Sequence, residues 1–292
     1  MSISLLVVVL LPQFGTSINS ARRWLRIPIG PASISFQPSE MAKWSLIIFL
    51  AVYLSRRRDS LQSYRKGFAP ACAAAALTAG LIITQDVGTA AFIGILSILM
   101  FIIAGIKLWH IFTLFPPAAA GFAAVLLKSP NRINRIKAFL NPEEWSDSVG
   151  YQANQSLIAL GSGGITGKGL GKGICKYGHL PEDTTDFIFS IIGEEIGLAG
   201  TLTVILLFIT LMWLSGITLI RCRDLLGRLL AGGIALAIGI QAVLNIGVVT
   251  VVLPTKGIPL PFVSAGGTSL LFSAAAAGLL LNIANQCSPE EV

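Results

Sequence analysis

The chain is 292 residues long, 54% hydrophobic and only 12% charged, with a formal net charge of +7 and a mean hydropathy of +0.77. That composition excludes a water-soluble globule, because too little polar surface is available to cover the apolar mass, and makes lipid the solvent for most of the chain. The basic excess does not point to nucleic acid, since no Lys/Arg run is interleaved with aromatics on a polar module; anionic lipid or a phosphate-bearing partner fits it better.

In chain order, the predicted elements are helices. Only an internally hydrogen-bonded backbone survives in hydrocarbon, and the alternation of a membrane barrel is absent. Residues 1–11 form an apolar stub with no basic leader region or cleavage site, too short to cross a bilayer, and read as a shortened span. Apolar segments follow at residues 39–54, 68–84, 89–106, 110–127, 187–219, 229–252 and 268–284, for about eight segments in all. Basic residues cluster in the short connections at Arg56, Arg57, Arg58, Arg65 and Lys66, at Lys107, and at Arg221, Arg223 and Arg228, which assigns those connections to the cytoplasm.

Alternation then puts residues 14–38, 85–88, 128–186 and 253–267 outside. Arg22, Arg23, Arg26 and Lys256 run against the usual charge bias there, whereas Arg132, Arg135 and Lys137 lie in a segment long enough to be exempt from it. An anionic partner on the outer face accounts for the short-loop cations. The expected fold class is all-α: a polytopic transmembrane helix bundle forming one domain over residues 1–292, with 128–186 as a large extracellular loop. Cys72, Cys175, Cys222 and Cys287 are scattered and suggest no disulfide framework. His110 and His179 are isolated, and no cluster has metal-ligand spacing.

Four places could carry chemistry. The glycine-rich run at 161–173 could wrap a phosphate with backbone N–H groups, or serve as a hinge that lets a loop re-enter the membrane; it lacks the spacing of a nucleotide P-loop. Glu182, Asp183 and Asp186 sit at the mouth of the next helix. Asp186 there is either an ordinary N-cap, favoured by the helix dipole, or a carboxylate able to take a proton from an alcohol. Glu194, Glu195 and Asp86 lie at depths where a carboxylate is costly unless paired; Lys43 and Lys256 are plausible partners, though sequence alone does not assign the pairing, and Glu40 and Lys43 share one helix face. Residues 253–267 hold three prolines and three glycines, cannot be helical throughout, and suit the wall of a polar site.

Several ordered motifs coincide over almost the whole chain: Ala21-Arg-Arg-Trp24, Gln37-Pro-Ser-Glu40 with Lys43, Asp86-Val-Gly-Thr89, Gly150-Tyr-Gln152, Gln155 through Gly164, Leu180-Pro-Glu182, Thr185-Asp-Phe-Ile-Phe189, Gly193-Glu-Glu195 and Pro254 through Phe262. With them the chain resembles the SEDS family, which includes FtsW, RodA and SpoVE. The wording at 155–164 and 191–195 is nearer the FtsW and SpoVE branches.

The resemblance implies a peptidoglycan glycosyltransferase that polymerises lipid II at the outer face of the bacterial cytoplasmic (inner) membrane. It further implies a class B penicillin-binding protein and other divisome or elongasome proteins as partners. Asp186 occupies the family's essential aspartate position and would be the base. Arg23, Lys43 and Lys256 are the cations placed to meet a pyrophosphate, with Gln37, Glu40, Glu182 and Ser264 as further substrate contacts. Asp86, Glu194 and Glu195 are expected to be intramembrane structural groups. No tightly bound cofactor or metal is expected, only a loosely shared divalent cation.

Three departures stand out: about two spans fewer than the family's ten, which implies that an N-terminal helical pair is missing; Thr184 where the family has His; and Ala265 where it has Tyr. A lipid II flippase, with the same bundle and buried charges, and a non-catalytic scaffold are the alternative readings.

Overall fold

A computed structural model describes residues 1–18, 21–29, 32–127, 130–141, 144–145, 150–177 and 180–287. His179 lies outside the described residues. The helices are α1 (Ser2–Leu10), α2 (Pro38–Arg56), α3 (Ala69–Ile83), α4 (Val87–Ile103), α5 (Leu108–Phe112), α6 (Phe115–Leu127), α7 (Pro130–Leu140), α8 (Tyr151–Gly163), α9 (Ile188–Arg221), α10 (Leu225–Val249) and α11 (Gly267–Gln286). Each apolar segment expected from the sequence is helical. Among the described residues, five stretches are long and apolar enough to cross a membrane: Tyr64–Ile83, Leu108–Val125, Ile188–Arg221, Leu225–Val249 and Gly267–Gln286. The protein is a mostly helical, multi-pass membrane protein.

Two features differ from the sequence reading. Residues 14–38, expected as an irregular loop, carry an antiparallel meander of β1 (Gly15–Ile18), β2 (Ala21–Ile29) and β3 (Ala32–Phe36). Strands this short, one of them bearing three arginines, leave no hydropathy signal. Segment 128–186 contains α7 and α8, both shorter than a span and so invisible to a search for long apolar runs.

The chain divides into two compact units, residues 1–122, 213–237 and 267–292 in one and residues 123–212 and 238–266 in the other. In the first unit α2 turns one face inward: Lys43, Ile47, Leu50 and Leu54, spaced at helical intervals, are all at most 1% exposed. Gly232 and Gly233 let α10 approach closely, since a Cβ on Gly233 would stand 2.7 Å from Ile47 and 3.1 Å from Met100. The sheet lies against the α3–α4 turn and the start of α11. The backbone N–H of Arg22 donates to Gln85 Oε1 (2.9 Å), and Thr268 Oγ1 donates to the carbonyl of Ser35 (3.1 Å).

In the second unit one apolar cluster gathers Ala159 from α8, Cys175 and Leu180 from the following loop, Phe187, Phe189 and Ile191 at the head of α9, Ala242, Val248 and Val249 from α10, and Leu260. The functional groups described below are mounted on this cluster.

The cysteines also depart from expectation. Cys222 and Cys287, 65 residues apart, form a disulfide that ties the α9–α10 turn to the end of α11 in the first unit. No spacing rule could have found it, because the two sulfurs meet only through the packing of three helices.

Cross-linking a loop of that length contributes up to about 4 kcal/mol by restricting the unfolded chain. Cys287→Ser, or treatment with a reductant, should therefore lower the thermal unfolding midpoint of the detergent-solubilised protein. A midpoint that stays put under both treatments would show that the bridge does not constrain the fold.

Candidate functional site

The second unit is organised by a break in α9. Gly197 adopts φ +74°, which glycine tolerates and which interrupts the helix. An unbroken helix would bond the N–H groups of Leu198 and Ala199 to the carbonyls of Glu194 and Glu195. Here those N–H groups donate instead to the carbonyls of Gly164 (2.9 Å) and Ile165 (3.4 Å). The released carbonyls of Glu194 and Glu195 accept from the N–H groups of Lys168 (3.0 Å) and Gly169 (2.9 Å). The glycine-rich run is thus threaded through the break and completes the helix's hydrogen bonds. Gly167 sits at φ +76°, and a Cβ on it would fall 2.2 Å from the carbonyl oxygen of Glu195.

The same loop encloses two carboxylates. Glu194, 0% exposed, accepts from Lys168 Nζ (2.7 Å) and from the N–H groups of Ile174 (3.0 Å) and Cys175 (3.1 Å). Glu195 accepts from Lys176 Nζ (2.7 Å) and from the N–H groups of Gly171 (3.0 Å) and Gly173 (3.3 Å). The hydrogen bond to Glu195 holds the Lys176 ammonium above its ordinary pKa. Burial, reinforced by the Glu194 charge, pushes the Cys175 thiol up, so it stays protonated.

The structure decides two points that the sequence left open. The run does form an anion-binding nest, but the anions it holds are the protein's own. The lysines that pair with Glu194 and Glu195 are Lys168 and Lys176, not Lys43 or Lys256.

Asp186 lies two residues ahead of α9, in a turn that begins at Glu182, a non-glycine residue at φ +58°. The Glu182 carbonyl accepts from the N–H groups of Thr185, Asp186 and Phe187, and its carboxylate from Thr185 Oγ1 (2.9 Å). The next carbonyls in the turn are taken one by one. Thr184 accepts from the N–H of Ala265 (3.0 Å), Thr185 from Ser264 Oγ, and Asp186 from Asn245 Nδ2 (2.7 Å). Ser264, 5% exposed, also accepts the N–H of Leu260 (2.7 Å). The half-buried Asp186 side chain reaches over Gly257: a Cβ at that glycine would lie 2.6 Å from Asp186 Oδ2.

The proline-rich segment that carries Lys256 and Gly257 is non-helical as expected, and its carbonyls are satisfied by side chains. Asn245 donates to Ile258 (2.7 Å), Gln241 to Pro259 (2.9 Å) and Arg135 to Thr255 (3.4 Å). Val251 (φ 57°) and Phe262 (φ 64°) are, with Glu182, the described non-glycine residues in the left-handed region; Glu182 opens the Asp186 turn, and Phe262 lies two residues before Ser264, which bonds that turn. Clustered strain of this kind is typical of functional sites.

In the first unit, Arg23 pairs with Asp86 (3.2 Å) and donates twice to the carbonyl of Gln85. Asp86 also caps α4 by accepting the N–H of Thr89 (3.0 Å). Glu40 and Lys43 form the i, i+3 ion pair their spacing implied, at 2.7 Å, and Lys43 Nζ also lies 5.1 Å from the Trp44 ring centroid. Gln37 is half-buried at the N-terminus of α2.

The structure therefore brings Asp186, Ser264 and the Lys256-Gly257 backbone together within one unit, while Arg23, Asp86, Glu40 and Lys43 form two separate pairs within the other. Sequence reasoning missed Gln241 and Asn245. Their signal was present, as two amides one helical turn apart inside the otherwise apolar stretch 229–249 of α10.

Comparison with known proteins places this geometry. A family model described as "Cell cycle protein", covering FtsW, RodA and SpoVE, matches residues 1–288. The chain is 41% identical to the probable peptidoglycan glycosyltransferase FtsW of Trichlorobacter lovleyi, over 97% of this chain and 73% of that protein. It is 42% identical to the stage V sporulation protein E of Bacillus subtilis, over 96% and 75%. Among solved structures, it superposes with a TM-score of 0.76 at 28% identity on a chain described under "Structural coordination of polymerization and crosslinking by a peptidoglycan synthase complex", covering 99% of this chain and 80% of that one. It matches the Thermus thermophilus rod shape determining protein RodA with a TM-score of 0.64 at 26% identity, over 99% and 77%.

The nest makes a stability prediction. Glu194→Gln keeps the shape but removes the charge that Lys168 and two backbone N–H groups address, and should cost about 1.5–3 kcal/mol in thermal or denaturant unfolding. Adding Lys168→Met should recover part of that loss. Strictly additive effects in this double-mutant cycle would argue against a coupled pair.

Proposed function

The chain belongs to the FtsW/RodA/SpoVE family, and we propose that it is a peptidoglycan glycosyltransferase that polymerises lipid II with inversion at the anomeric carbon. The observation that carries this reading is Asp186. Its backbone is clamped on the carbonyl side, and its half-buried carboxylate lies over a glycine that carries no side chain to cover it.

In the proposed step Asp186 takes the proton of the acceptor GlcNAc 4-hydroxyl as that oxygen attacks C1 of the donor MurNAc. The bond from C1 to the pyrophosphate oxygen breaks, undecaprenyl pyrophosphate leaves with the electron pair, and the proton passes from Asp186 to water. A single displacement inverts the anomeric centre. Lys256, beside Gly257 in the chain, is suited to meet charge developing on the leaving group. Arg23, in the first unit and with 35% of its side chain exposed, is engaged by Asp86. Lys43, 1% exposed and paired with Glu40, is better suited to holding the inner face of α2. Any divalent cation would be shared loosely through the pyrophosphate.

The active face would be the outer side of the cytoplasmic membrane, where lipid II is presented. The partner would be a class B penicillin-binding transpeptidase within the division or elongation machinery. The structural neighbour's description as a synthase coordinating polymerisation with crosslinking supports that pairing.

The test is polymerisation of purified lipid II by the detergent-solubilised protein with its transpeptidase. Asp186→Ala and Asp186→Asn should each lower the rate by about 10²–10⁴-fold, the range expected for loss of a general base. Equal glycan yield from wild type and Asp186→Ala would remove the base assignment. No glycan from any variant, together with lipid II movement across vesicle membranes, would favour a flippase. Gly257→Ala, whose Cβ would displace the carboxylate, should also lower the polymerisation rate while leaving the protein folded, as judged by its elution in size-exclusion chromatography.

A further inference from the structure

We infer that Asn245 is a positioning residue that sets where the Asp186 carboxylate stands relative to the Lys256-Gly257-Ile258 backbone; this rests on the reading of Asp186 as the base. Asn245 lies on α10 and is 1% exposed. Its Nδ2 group donates both protons, to the carbonyls of Asp186 and Ile258, each at 2.7 Å. A flipped amide would turn Oδ1 onto two carbonyl oxygens, so the bonding fixes which way the side chain points. One amide therefore joins the proposed base to the residue that follows Gly257, the glycine over which the Asp186 carboxylate lies.

The other ties to this turn hold a different end of the segment. Thr184 and Thr185 are held by Ala265 and Ser264, eight and seven residues beyond Gly257. Without Asn245 those ties remain and the turn stays docked, but the one amide that bonds both the Asp186 and the Ile258 carbonyls is gone. The Asp186 to Gly257 spacing would then drift while the fold survives.

A second observation sets Asn245 apart from a packing residue. Its Oδ1 is buried with no hydrogen-bond partner. An unpaired buried acceptor is destabilising, and an aliphatic side chain would avoid it. What Asn supplies here and an aliphatic residue does not is two donors aimed at two carbonyls from different segments.

The experiment compares wild type, Asn245→Leu, Asn245→Asp, Asp186→Ala and the double variant Asn245→Leu/Asp186→Ala in lipid II polymerisation, recording kcat, KM, the pH–rate profile and the thermal midpoint. Misplacing a base by about 1 Å can cost about 10²-fold. Asn245→Leu and Asn245→Asp are therefore expected to lower kcat about 10- to 100-fold, with KM within about threefold and the acidic limb of the pH–rate profile displaced. Asn245→Leu should cost nothing further in the Asp186→Ala background, because there is no longer a base to position. The inference is overturned if kcat is retained in the Asn245 variants. It is equally overturned if kcat falls only in step with the thermal midpoint, with an unmoved acidic limb and with additive losses in the double variant. Full activity in Asp186→Ala would instead overturn the base reading itself, an outcome distinct from both.

Discussion

Two hydrogen bonds that α9 does not make govern the second unit. With Gly197 in a left-handed conformation, the N–H groups of Leu198 and Ala199 turn to Gly164 and Ile165, and the carbonyls of Glu194 and Glu195 are released to Lys168 and Gly169. In lipid an unsatisfied backbone group costs several kcal/mol, so a broken span persists only where protein supplies the missing partners. The glycine-rich loop does this because positive φ at Gly164, Gly167, Gly169 and Gly171 lets its backbone run against the helix. Residues 198–221 remain as a continuous helix of about 36 Å, enough to span the hydrocarbon unaided. The first turns of α9 are thereby freed from spanning and can carry Asp186 and its turn at their head.

The Asp186 turn and the proline-rich segment solve the same problem with different donors. Pro254, Pro259 and Pro261 remove backbone N–H groups from the segment, so its carbonyls cannot be met locally and must draw donors from elsewhere in the unit. Gln241 and Asn245, one turn apart on α10, deliver them. At the end of α10, Ser156 Oγ donates to the carbonyl of Val249 (2.6 Å) and accepts from Ser190 Oγ (2.7 Å), which pins α8, α9 and α10 at one buried point. Such a frame fixes the main chain that carries the Asp186 carboxylate.

Much of this was legible in the sequence, and what was not has identifiable causes. Apolar runs gave the helices because hydrocarbon imposes helical hydrogen bonding on any segment that enters it. The Glu40–Lys43 pair followed from i, i+3 spacing, and the irregularity of 253–267 from its prolines. The partners of Glu194 and Glu195 did not follow, because Lys168 and Lys176 lie some twenty residues away and meet them only after the loop threads the break. The family resemblance came from ordered motifs and led to Asp186. It was silent on Asn245, whose role appears only when its two bonds are seen to join separate segments. The meander over residues 15–36 was missed because its ordering contacts are tertiary, to Gln85 and Thr268.

The carboxylates that hydropathy makes conspicuous are the ones least able to do chemistry. Glu194 is fully buried and accepts from one ammonium and two N–H groups, and Glu195 has the same complement. Each lone pair drawn into such a bond must be released before it can accept a substrate proton, and releasing it leaves a half-buried lysine without its counter-ion. These groups are suited to hold a loop and poorly suited to exchange protons with a sugar. Asp186 sits elsewhere, in a half-buried turn beyond the helix, with its main chain held by Asn245 and its Oδ2 beside a residue with no side chain. A carrier moving a headgroup across the membrane would need charged groups that change partners as access alternates between the two faces. The ion pairs described in this protein each join groups within one unit, and the Asp186 main chain is fixed at a helix end. That division of labour suits transfer chemistry at one fixed depth better than transport through it.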